Sequence, residues 1–322
     1  MSKLDLSIVI PLYNEDESLP ELTDWIAKVM DRESYTYEII FVNDGSTDNS
    51  WNVIKELSAS NPNVKAISFR RNQGKSAGLN RGFKAATGEV VITMDADLQD
   101  SPEEIPELRR MIIEDGYDLV SGWKQKRYDP ITKTLPTKLF NAATRRISKI
   151  KLNDFNCGLK AYKLDVVHNI EVYGEMHRYI PFLAKNKGFT KIGEKVVQHQ
   201  ARKYGTTKFG LDRFVNGFLD LGTLAIMGKF GRRPMHFFGA AGTLMFVLSV
   251  ALLGYLGASK LYALSQGYEA RLITENPLFY ILLTLTVLGM QLFAVGFIAE
   301  LLLRESTKKH DFTIDATIGL ED

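Results

Sequence analysis

The first two thirds of the chain alternate short apolar runs with amphipathic segments. The apolar runs are rich in β-branched residues, which is typical of buried strands. They cover Leu6 to Leu12, Glu38 to Val42, Val64 to Phe69, Val90 to Met94 and Asp118 to Gly122. The segments between the first four runs predict helices at about Leu19 to Met30, Ser50 to Ser60 and Ser76 to Ala86. This alternation predicts an α/β domain with a mostly parallel sheet and right-handed crossovers.

Two long uncharged runs distinguish the last third of the chain. No charged residue occurs from Phe237 to Leu256, and none occurs from Pro277 to Ala299. Each run is long enough to cross about 30 Å of hydrocarbon as a helix. A buried helix of a soluble core, which is the alternative, normally keeps a polar stripe. We therefore predict two transmembrane helices, at about 236–258 and 277–303.

Basic residues flank the two predicted spans on one side. Arg232 and Arg233 precede the first span, and Arg304 follows the second together with two lysines, whereas the loop 260–276 balances basic against acidic residues. The positive-inside rule then places both termini and the α/β domain in the cytoplasm, in an integral protein of the cytoplasmic (inner) membrane. Glu300, near the cytoplasmic end of the second span, is expected to reach the interface or to pair with Arg304.

Composition and charge narrow the function classes. The 322 residues carry a net charge of +2, which is too small to indicate a nucleic-acid binder. The single cysteine, Cys157, excludes an internal disulfide and indicates a reducing compartment. The first apolar run, Leu6 to Ile10, is too short for a secretory signal and is followed at once by Pro11.

Three carboxylates gather where the fourth predicted strand ends. They are Asp95, Asp97 and Asp100, with Gln99 between the last two. Such carboxylates repel one another unless a cation joins them. Carboxylate and amide oxygens suit Mg2+ or Mn2+, ions that usually also hold a phosphate. The alternative is an acidic loop that caps the next helix, because Ser101-Pro102 is a good helix start.

All four strands of the alternating region end in polar turns that bear glycine or aspartate. In open α/β sheets the ligand crevice lies at the carboxyl ends of the strands, so four such turns together indicate a nucleotide-sized site. In that site Asp44 is expected to accept a hydrogen bond from a base imide or a ribose hydroxyl, and Lys75 is expected to bind phosphate. A generic α/β fold needs polar turns too, and neither the dinucleotide fingerprint nor the P-loop is present.

Four short motifs occupy these strand ends. They are Pro11-Leu-Tyr-Asn-Glu15, Asn43-Asp-Gly-Ser-Thr-Asp48, Asn72-Gln-Gly-Lys-Ser76 and Asp95-Ala-Asp-Leu-Gln99. Together they resemble the successive signatures of family 2 glycosyltransferases with a GT-A fold. The longer stretch Asp95 to Glu103 is similar to the polyprenyl- and dolichyl-phosphate sugar transferases, which include dolichol-phosphate mannose synthase and bacterial undecaprenyl-phosphate glucosyltransferases. The resemblance implies a Rossmann-like GT-A catalytic domain followed by interface helices and two membrane spans.

The resemblance implies roles on the donor side of the site. The nucleotide pocket would be lined by Pro11, Tyr13, Glu15, Asp44, Lys75, Asp95 and Ala96. The metal, Mg2+ or Mn2+, would be held by Asp95, Asp97 and Gln99, which agrees with the hard-cation interpretation reached from ligand type. Position 43 is Asn where many relatives have Asp, so a minor contact to the nucleoside is expected to differ.

The second half of the α/β domain is expected to serve the acceptor. Arg127 resembles a basic family residue that faces acceptor or donor phosphate, and Asp154 resembles a sugar-facing acidic residue; both are assigned to catalysis with Asp95 and Asp97. Phosphate or acceptor contacts are assigned to Arg127, Arg145, Arg146, His177, Arg202, Lys203 and Lys208. The last three belong to a segment that resembles a loop closing over the donor. For a lone histidine such as His177, a structural role is the alternative.

Two amphipathic segments are expected at the membrane surface. Residues 133–151 mix apolar with basic side chains, which is typical of an interface helix; a solvated helix packed on the sheet is the alternative. Residues 207–232 form an apolar-rich juxtamembrane segment. The predicted organisation is therefore a catalytic domain over 1–206, this juxtamembrane segment, two transmembrane helices within 233–304 and a cytoplasmic tail over 305–322.

These features predict an inverting, metal-dependent transferase. It would move a sugar from a UDP- or GDP-sugar to a polyprenyl phosphate, such as undecaprenyl phosphate, at the cytoplasmic membrane face. The resemblance also implies a homo-oligomer, tetramer-like, formed through the spans. A processive polysaccharide synthase is disfavoured because tryptophan occurs only at 25, 51 and 123, which leaves no Gln/Arg-x-x-Arg-Trp motif before the spans. A non-catalytic membrane scaffold with the same fold is the other alternative, and the sugar and the base stay open.

Overall fold

The computed structural model describes residues 4–125, 141–200, 203, 234–268, 272–305 and 314–319. They belong to two units. The first, called the α/β unit below, comprises Met1–Leu224 and Asp311–Asp322, and the second, called the apolar unit, comprises Ala225–His310. The boundaries predicted at 206 and 232 lie outside the described residues.

Aliphatic and β-branched residues form the strands of the α/β unit. In chain order these are β1 (Leu6–Leu12), β2 (Tyr37–Asn43), β3 (Val64–Phe69), β4 (Val90–Thr93), β5 (Leu119–Trp123), β6 (Lys160–Lys163), β7 (Ile192–Val196) and β8 (Ile314–Ile318). The five strands predicted from the apolar runs are all present. The last three strands are shorter or less apolar, and the sequence pattern did not predict them.

Helices connect the strands. They are α1 (Leu19–Glu33), α2 (Ser50–Ser60), α3 (Lys75–Ala85), α4 (Ile105–Ile113), α5 (141–148), α6 (Leu164–Asn169) and α7 (Ile180–Asn186). Short 3-10 turns, Pro102–Glu104 and Met176–Tyr179, lead into α4 and α7. The three helices predicted between the first four strands are confirmed.

The eight strands form one sheet in the order β7-β5-β6-β4-β1-β2-β3-β8. The first four strands are parallel, and β7 is parallel to β5. By contrast, β6 is antiparallel to both of its neighbours, β4 and β5. Its first residue, Lys160, therefore lies opposite Thr93 and Ser121, near the carboxyl ends of β4 and β5. An antiparallel strand thus brings its beginning to the edge where the parallel strands end.

Both faces of the central strands are buried. Three successive residues of β1, Ile8, Val9 and Ile10, have no exposed surface, as expected for a sheet covered by helices on both sides. On α1, Leu22 and Ile26 are equally buried and lie one helical turn apart. This packing makes the sheet a rigid base for the loops at its carboxyl edge.

A buried carboxylate fastens the opposite edge of the sheet. Glu38, at the start of β2, is 1% exposed. It accepts hydrogen bonds from the hydroxyl of Ser7 and from the backbone N–H and hydroxyl of Thr87, the last two at 2.8 Å. The ammonium of Lys65 lies 2.8 Å from its other oxygen. Burial alone would raise the pKa of Glu38, but Lys65, Ser7 and Thr87 outweigh it and lower the pKa.

We expect Glu38→Ala to lower the free energy of unfolding by about 3 kcal/mol, because it leaves Lys65 and two hydroxyls without their partner. The wild-type contribution is present above the unfolded pKa, near 4.5, and is lost as pH falls through the lower folded pKa. Denaturant unfolding of the full chain in detergent at pH 7 and pH 4 measures both effects. The matched control is Glu107→Ala, whose exposed ion pair with Arg110 contributes little. Equal effects of the two variants would contradict the role given to Glu38.

The C-terminal residues contribute a strand that the sequence analysis did not predict. β8 pairs antiparallel with β3 and forms one edge of the sheet. It lies within the stretch 305–322, which the sequence analysis treated only as a tail. The chain therefore returns to the α/β unit after the second apolar helix.

Two long helices make up most of the described apolar unit. Met235–Ser265 and Pro277–Leu302 are each long and apolar enough to cross a membrane, and they coincide with the predicted spans. Only 17% of the most apolar stretch of each helix is buried. Helices in the core of a soluble domain would be mostly buried. The alternative that these are core helices of a soluble domain is therefore disfavoured.

Glycines allow these two helices to approach closely. A Cβ at Gly242 would lie 2.5 Å from the carbonyl oxygen of Gly289, and a Cβ at Gly289 would lie 2.8 Å from the carbonyl oxygen of Gly242. Further along the pair, a Cβ at Gly296 would lie 3.0 Å from the backbone nitrogen of Gly239. Small residues at such crossings favour tight helix pairs in membranes.

Glu300 caps the first helix from the second. Its carboxylate accepts a hydrogen bond from the backbone N–H of Met235 at 3.3 Å, one of the N–H groups that a helix start leaves without a partner. The side chain of Arg304, the partner considered in the sequence analysis, lies outside the described residues. The contact joins the beginning of one helix to the end of the other, as in an antiparallel hairpin.

Candidate functional site

The loops that follow β1 and β2 are tied together at the carboxyl edge. The backbone N–H of Asn14 donates to the hydroxyl of Ser46 at 2.9 Å, and the backbone N–H of Thr47 donates to the Asn14 side chain at 2.8 Å. Asn14 has a positive φ of 58°, which asparagine tolerates better than most residues. The next residue is held by a bond from the N–H of Glu15 to the hydroxyl of Ser50 at 3.0 Å. These bonds position the segment that carries Pro11, Tyr13 and Glu15.

Asp44 holds the loop after β3. Its two carboxylate oxygens accept hydrogen bonds from the backbone N–H groups of Gln73 at 2.6 Å and Gly74 at 2.9 Å. Gly45 has a φ of 67°, and a Cβ there would lie 2.5 Å from the backbone of Arg71, so only glycine fits. Burial raises the pKa of Asp44, although the two N–H groups oppose the shift. The carboxylate therefore positions the residues immediately before Lys75.

Asn43 is buried between β2 and the adjacent loop. Its amide nitrogen donates to the hydroxyl of Ser68 at 3.0 Å, and its amide oxygen accepts from the N–H of Ser46 at 3.1 Å. Both ends of the amide are used within the chain. The contact between this position and a nucleoside, considered in the sequence analysis, stays a prediction.

Asp95 follows β4 and forms an ion pair with Lys75, the first residue of α3. Burial would raise the pKa of Asp95, but the charges of Lys75, Lys124 and Lys160 outweigh it and hold the pKa well below the usual range. A Cβ at Gly158 would lie 2.6 Å from the Asp95 carboxylate, so this carboxylate rests directly on a glycine. Lys75 and Asp95, which the sequence analysis assigned to the same pocket, are thus in contact.

The loop after Asp95 turns sharply. Leu98 has a positive φ of 58°, a costly conformation for leucine that is often associated with functional sites. The backbone N–H of Gln99 donates to the carboxylate of Asp97 at 3.2 Å, and Asp97 is 7% exposed. Backbone bonds also join this loop to 199–200, with the N–H of Gln200 donating to the carbonyl of Gln99 at 3.0 Å. The turn is therefore fixed from both sides.

The third carboxylate of the motif has a partner of its own. Asp100 is fully buried and forms an ion pair with Lys124, just after β5, at 2.8 Å. Burial would lower the pKa of Lys124, but Asp100 and neighbouring acidic groups outweigh it and raise the pKa. Asp100 therefore fastens the loop and has a role separate from that predicted for Asp95 and Asp97.

The donor set suits a hard divalent cation. Two carboxylates and one side-chain amide, from Asp95, Asp97 and Gln99, share one loop, and such oxygens are the ligands that Mg2+ and Mn2+ prefer. Among the described residues, no group of three His, Cys, Asp or Glu side chains is gathered around a common point. The ammonium of Lys75 lies on Asp95, so this carboxylate already has a cation beside it. The residues fit a metal that shares its shell with other oxygen ligands.

Asp154 is held by Glu194 of β7. The Glu194 carboxylate accepts from the backbone N–H groups of Asn153 at 2.6 Å and Asp154 at 2.9 Å. The Asp154 carboxylate in turn accepts from the N–H of Asn156 at 3.0 Å, and Asp154 is 1% exposed. Burial raises the pKa of Glu194, with the nearby Asp154 charge acting in the same direction. The turn that contains Asp154 is therefore rigid.

A cleft at the carboxyl edge brings several of these groups together. Four of the predicted site residues line it, and five further polar residues of the lining were not assigned by the sequence analysis. The predicted residues are Pro11, Lys75, Asp95 and His177, and the additional ones are Thr93, Asn156, Lys160, Tyr162 and Arg178. The cleft is therefore more basic than the motifs alone indicate.

Lys160 is the most deeply buried basic residue among those that line this cleft. It is 3% exposed, and its ammonium donates to the carbonyl of Cys157. Burial lowers the pKa of Lys160, although Asp154 and Asp95 act in the opposite direction. Burial raises the pKa of the Cys157 thiol to about 12, so this thiol is no nucleophile at neutral pH. A lysine flanked by the apolar residues Leu159 and Ala161 was the sequence signal for this residue.

His177 and Arg178 reach the cleft from the turn before α7. The Nδ1 atom of His177 lies 3.1 Å from the hydroxyl of Ser76, which also accepts from the His177 backbone N–H. Arg178 is 8% exposed, and its guanidinium lies 3.6 Å from the Glu175 carboxylate. His177 was predicted to contact phosphate or acceptor, whereas no pattern in the sequence predicted Arg178.

The remaining assigned cations lie elsewhere or outside the described residues. Arg145 is exposed and donates to the side chain of Asn153 at 3.0 Å, and Arg146 is also exposed. Lys203 pairs with Glu21 of α1 at 2.7 Å. Three assigned residues, Arg127, Arg202 and Lys208, lie outside the described part of the chain.

The described part of the predicted interface helix packs against the α/β unit. In α5, Asn141, Thr144 and Ser148 are buried along one face, and the side chain of Lys185 donates to the carbonyl of Ser148 at 2.9 Å. Burial of this face favours a packed helix over residues 141–148, while the interface prediction for 133–151 stays a prediction. The apolar residues of 133–140, on which the interface prediction depends, lie outside the described residues.

Comparison with known proteins now identifies the family. Residues 7–170 match the model described as glycosyl transferase family 2. The chain is 32% identical over 307 residues to a dodecaprenyl-phosphate galacturonate synthase of Rhizobium johnstonii, covering 94% of this chain and 89% of the relative. It is 35% identical over 301 residues to an undecaprenyl-phosphate 4-deoxy-4-formamido-L-arabinose transferase of Pseudomonas fluorescens, covering 92% and 84%.

Solved structures support the fold. Mannosyl-3-phosphoglycerate synthase from Rubrobacter xylanophilus matches with a TM-score of 0.56 at 18% identity, covering 69% of this chain and 74% of that protein. Glucosyl-3-phosphoglycerate synthase from Mycobacterium tuberculosis, crystallised with Mn2+ and UDP-glucose, matches with a TM-score of 0.52 at 20% identity, covering 70% and 79%. The predicted GT-A fold is confirmed, and the chain belongs to glycosyl transferase family 2 and is a glycosyltransferase.

Proposed function

We propose that this glycosyltransferase moves a sugar from a nucleotide diphosphate sugar to a polyprenyl phosphate, with inversion at the anomeric carbon. The observation that carries the proposal is the cleft at the carboxyl edge, where the Asp95 carboxylate meets Lys75 and where Lys160 and Arg178 also lie. A nucleotide diphosphate is an anion that binds through a cation to carboxylates and directly to lysine and arginine. Relatives that cover most of the chain are named as polyprenyl-phosphate sugar transferases, which supports the lipid acceptor.

We assign the metal to Asp95, Asp97 and Gln99. When bound, a divalent metal would neutralise the charge that develops on the leaving nucleotide diphosphate. Lys75 would donate to the same diphosphate, and Pro11, Tyr13, Glu15, Asp44 and Ala96 would line or support the nucleotide pocket. Mg2+ and Mn2+ both suit these ligands, so the choice between them is a matter for the transfer assay.

The acceptor brings its own nucleophile. A phosphate monoester has a second pKa of about 6 and is largely ionised at neutral pH, so its oxygen needs little help from a base. That oxygen would form the new bond to the anomeric carbon as the bond to the diphosphate breaks. Because two anions must approach each other, basic residues would screen their repulsion. We assign this role to Arg127, Arg145, Arg146, His177, Arg202, Lys203 and Lys208, with Asp154 orienting a sugar hydroxyl.

We place the α/β unit at the cytoplasmic face of the inner membrane. β3 precedes the first apolar helix and pairs with β8, which follows the second. Two crossings return a chain to the side from which it started, which supports one common face for both parts of the sheet. The basic residues Arg232 and Arg233 support the cytoplasmic side. A homo-oligomer formed through the spans stays a prediction from family resemblance.

The test is a transfer assay with the full chain in detergent. A panel of UDP- and GDP-sugars is incubated with undecaprenyl phosphate and with Mg2+, Mn2+ or EDTA, and labelled lipid product is counted. We expect one donor to give a lipid-linked sugar whose formation EDTA abolishes. Product that is equally abundant in EDTA would contradict the metal assignment. Transfer of the sugar to a water-soluble acceptor instead of the lipid would contradict the acceptor.

A further inference from the structure

Lys75 lies where a metal bound to Asp95 would share the same carboxylate. Its ammonium donates to Oδ1 of Asp95, and about a third of each side chain is exposed. The ammonium occupies one of the two oxygens of the carboxylate, and its positive charge repels a divalent cation that approaches the same group. Binding of a metal to Asp95 is therefore weakened for as long as Lys75 stays paired with it.

Asp95 is the less mobile partner. A Cβ on Gly158 would lie between 2.6 and 2.8 Å from three atoms of the Asp95 carboxyl group. The backbone of Gly158 thus closes one side of the carboxylate. The backbone N–H of Asp95 donates to the carboxylate of Asp100 at 3.5 Å, and Asp100 is itself paired with Lys124. Movement of the carboxylate away from Lys75 is therefore restricted.

Lys75 is the least buried of the three lysines whose charges act on Asp95. Lys124 is largely buried in its ion pair with Asp100, and Lys160 is 3% exposed and bonded to the carbonyl of Cys157. Lys75 begins α3 directly after Gly74, lines the cleft and has a flexible four-carbon stem that is about a third exposed. An incoming cation would displace Lys75 and leave the other two in place.

We propose that the ammonium of Lys75 occupies the place of the metal on Asp95 until the donor binds. It then moves to the diphosphate of the donor and pairs with it. This inference rests on the proposed function, since it concerns the same metal and nucleotide. Without nucleotide, the metal competes with a paired lysine for the Asp95 carboxylate and approaches two further buried lysines, which disfavours its binding. With nucleotide, the displaced ammonium gains a diphosphate partner. Metal and nucleotide therefore bind with positive coupling, and Lys75 supplies much of it.

The test measures Mn2+ binding to the full chain in detergent, from the paramagnetic resonance signal of free Mn2+, with and without saturating UDP or GDP. For the wild type we expect nucleotide to tighten Mn2+ binding on the order of tenfold or more. In Lys75→Met, Mn2+ should bind about tenfold more tightly than in the wild type when nucleotide is absent. The tightening caused by nucleotide should shrink by a similar factor.

Two variants control for other effects of the substitution. Lys84→Met removes an exposed lysine from the last turn of the same helix and should leave both Mn2+ affinities unchanged. Lys75→Arg keeps the charge and should keep the coupling. Because coupling is reciprocal, nucleotide affinity measured with and without Mn2+ must change by the same factor.

The outcomes separate this inference from the proposed function. If Lys75→Met binds Mn2+ without nucleotide no more tightly than the wild type, the place-holding role is wrong while the metal site stands. If wild type and variants bind no Mn2+ under any condition, both the place-holding role and the metal assignment are wrong. The transfer assay with EDTA tests the reaction itself independently of either result.

Discussion

Asp97→Asn is expected to lower sugar transfer by about a thousandfold while leaving the chain folded. Asp97 is 7% exposed and accepts the backbone N–H of Gln99. Asparagine keeps an oxygen for that bond, so the turn survives, but the negative charge that a metal needs is lost. A bound metal contributes several kcal/mol of charge stabilisation in the transition state, and each 1.36 kcal/mol is tenfold in rate. Transfer to undecaprenyl phosphate at saturating Mn2+ measures the effect.

The control for Asp97→Asn is Asp165→Asn, which neutralises an exposed carboxylate in the first turn of α6. This variant should retain wild-type transfer. Thermal unfolding of both variants should match that of the wild type within a few degrees. If Asp97→Asn were folded and fully active, Asp97 would not be a metal ligand, and the alternative of an acidic loop that only caps a helix would gain support.

Gly158→Ala is expected to lower the rate of sugar transfer by about a hundredfold while the chain still folds. The added Cβ would lie 2.6 Å from the Asp95 carboxylate, so that the carboxylate must shift. Gly158 does not have a positive φ, so alanine is compatible with the backbone. A displacement of about 1 Å in a reacting group can cost about a hundredfold in rate. Initial transfer rates, together with Mn2+ binding in the presence of UDP, measure the two consequences of moving Asp95.

Gly193→Ala is the matched control for this crowding. A Cβ at Gly193 would lie 2.7 Å from the ring of Tyr117, a comparable conflict. Gly193 pairs with Val120 on β5, away from the carboxyl end of that strand. This variant should lose stability without losing the transfer rate of the folded fraction. Wild-type transfer by Gly158→Ala would show that the position of Asp95 is less critical than we infer.

The parallel half of the sheet was predictable because its signals are local. β1 is a continuous apolar run whose residues are buried on both faces, and such a run identifies a strand without knowledge of its neighbours. The ends of β1 to β4 then meet at one edge by topology alone. For this reason Asp95 and Lys75 were assigned to one pocket from sequence, and the structure places them in contact.

The basic residues of the cleft were harder to predict because they come from elements with weaker patterns. β6 has only four residues, two of them lysines, and its apolar signal is short. It runs antiparallel to β4, so its first residue, Lys160, lies at the edge where the parallel strands end. The prediction of site residues at that edge was based on the parallel strands alone. Arg178 comes from a 3-10 turn, which has no recognisable periodicity. β8 has the same limitation, because pairing with β3 depends on the fold already formed.

The roles of individual acidic side chains also depend on their hydrogen-bond and ion-pair partners in the folded chain. From sequence, Asp44 was predicted to contact a nucleotide, which stays a prediction; the structure adds that its oxygens accept the N–H groups of Gln73 and Gly74. Asp100 belongs to the same acidic motif as Asp95, yet a buried ion pair with Lys124 gives it a separate role. These partners are tens of residues away along the chain or come from another strand. Residue type alone does not select between binding a ligand and fastening a loop.

The sequence by itself determined the family, the parallel half of the sheet, the two apolar helices and the acidic motif at the end of β4. These depend on patterns within a few adjacent residues. Only the tertiary structure decided that Lys75 occupies the Asp95 carboxylate, that Gly158 closes its far side and that Lys160 and Arg178 complete the cleft. Such relations are distances between residues remote in the chain, and they arise only when antiparallel strands and turns are packed against the parallel core.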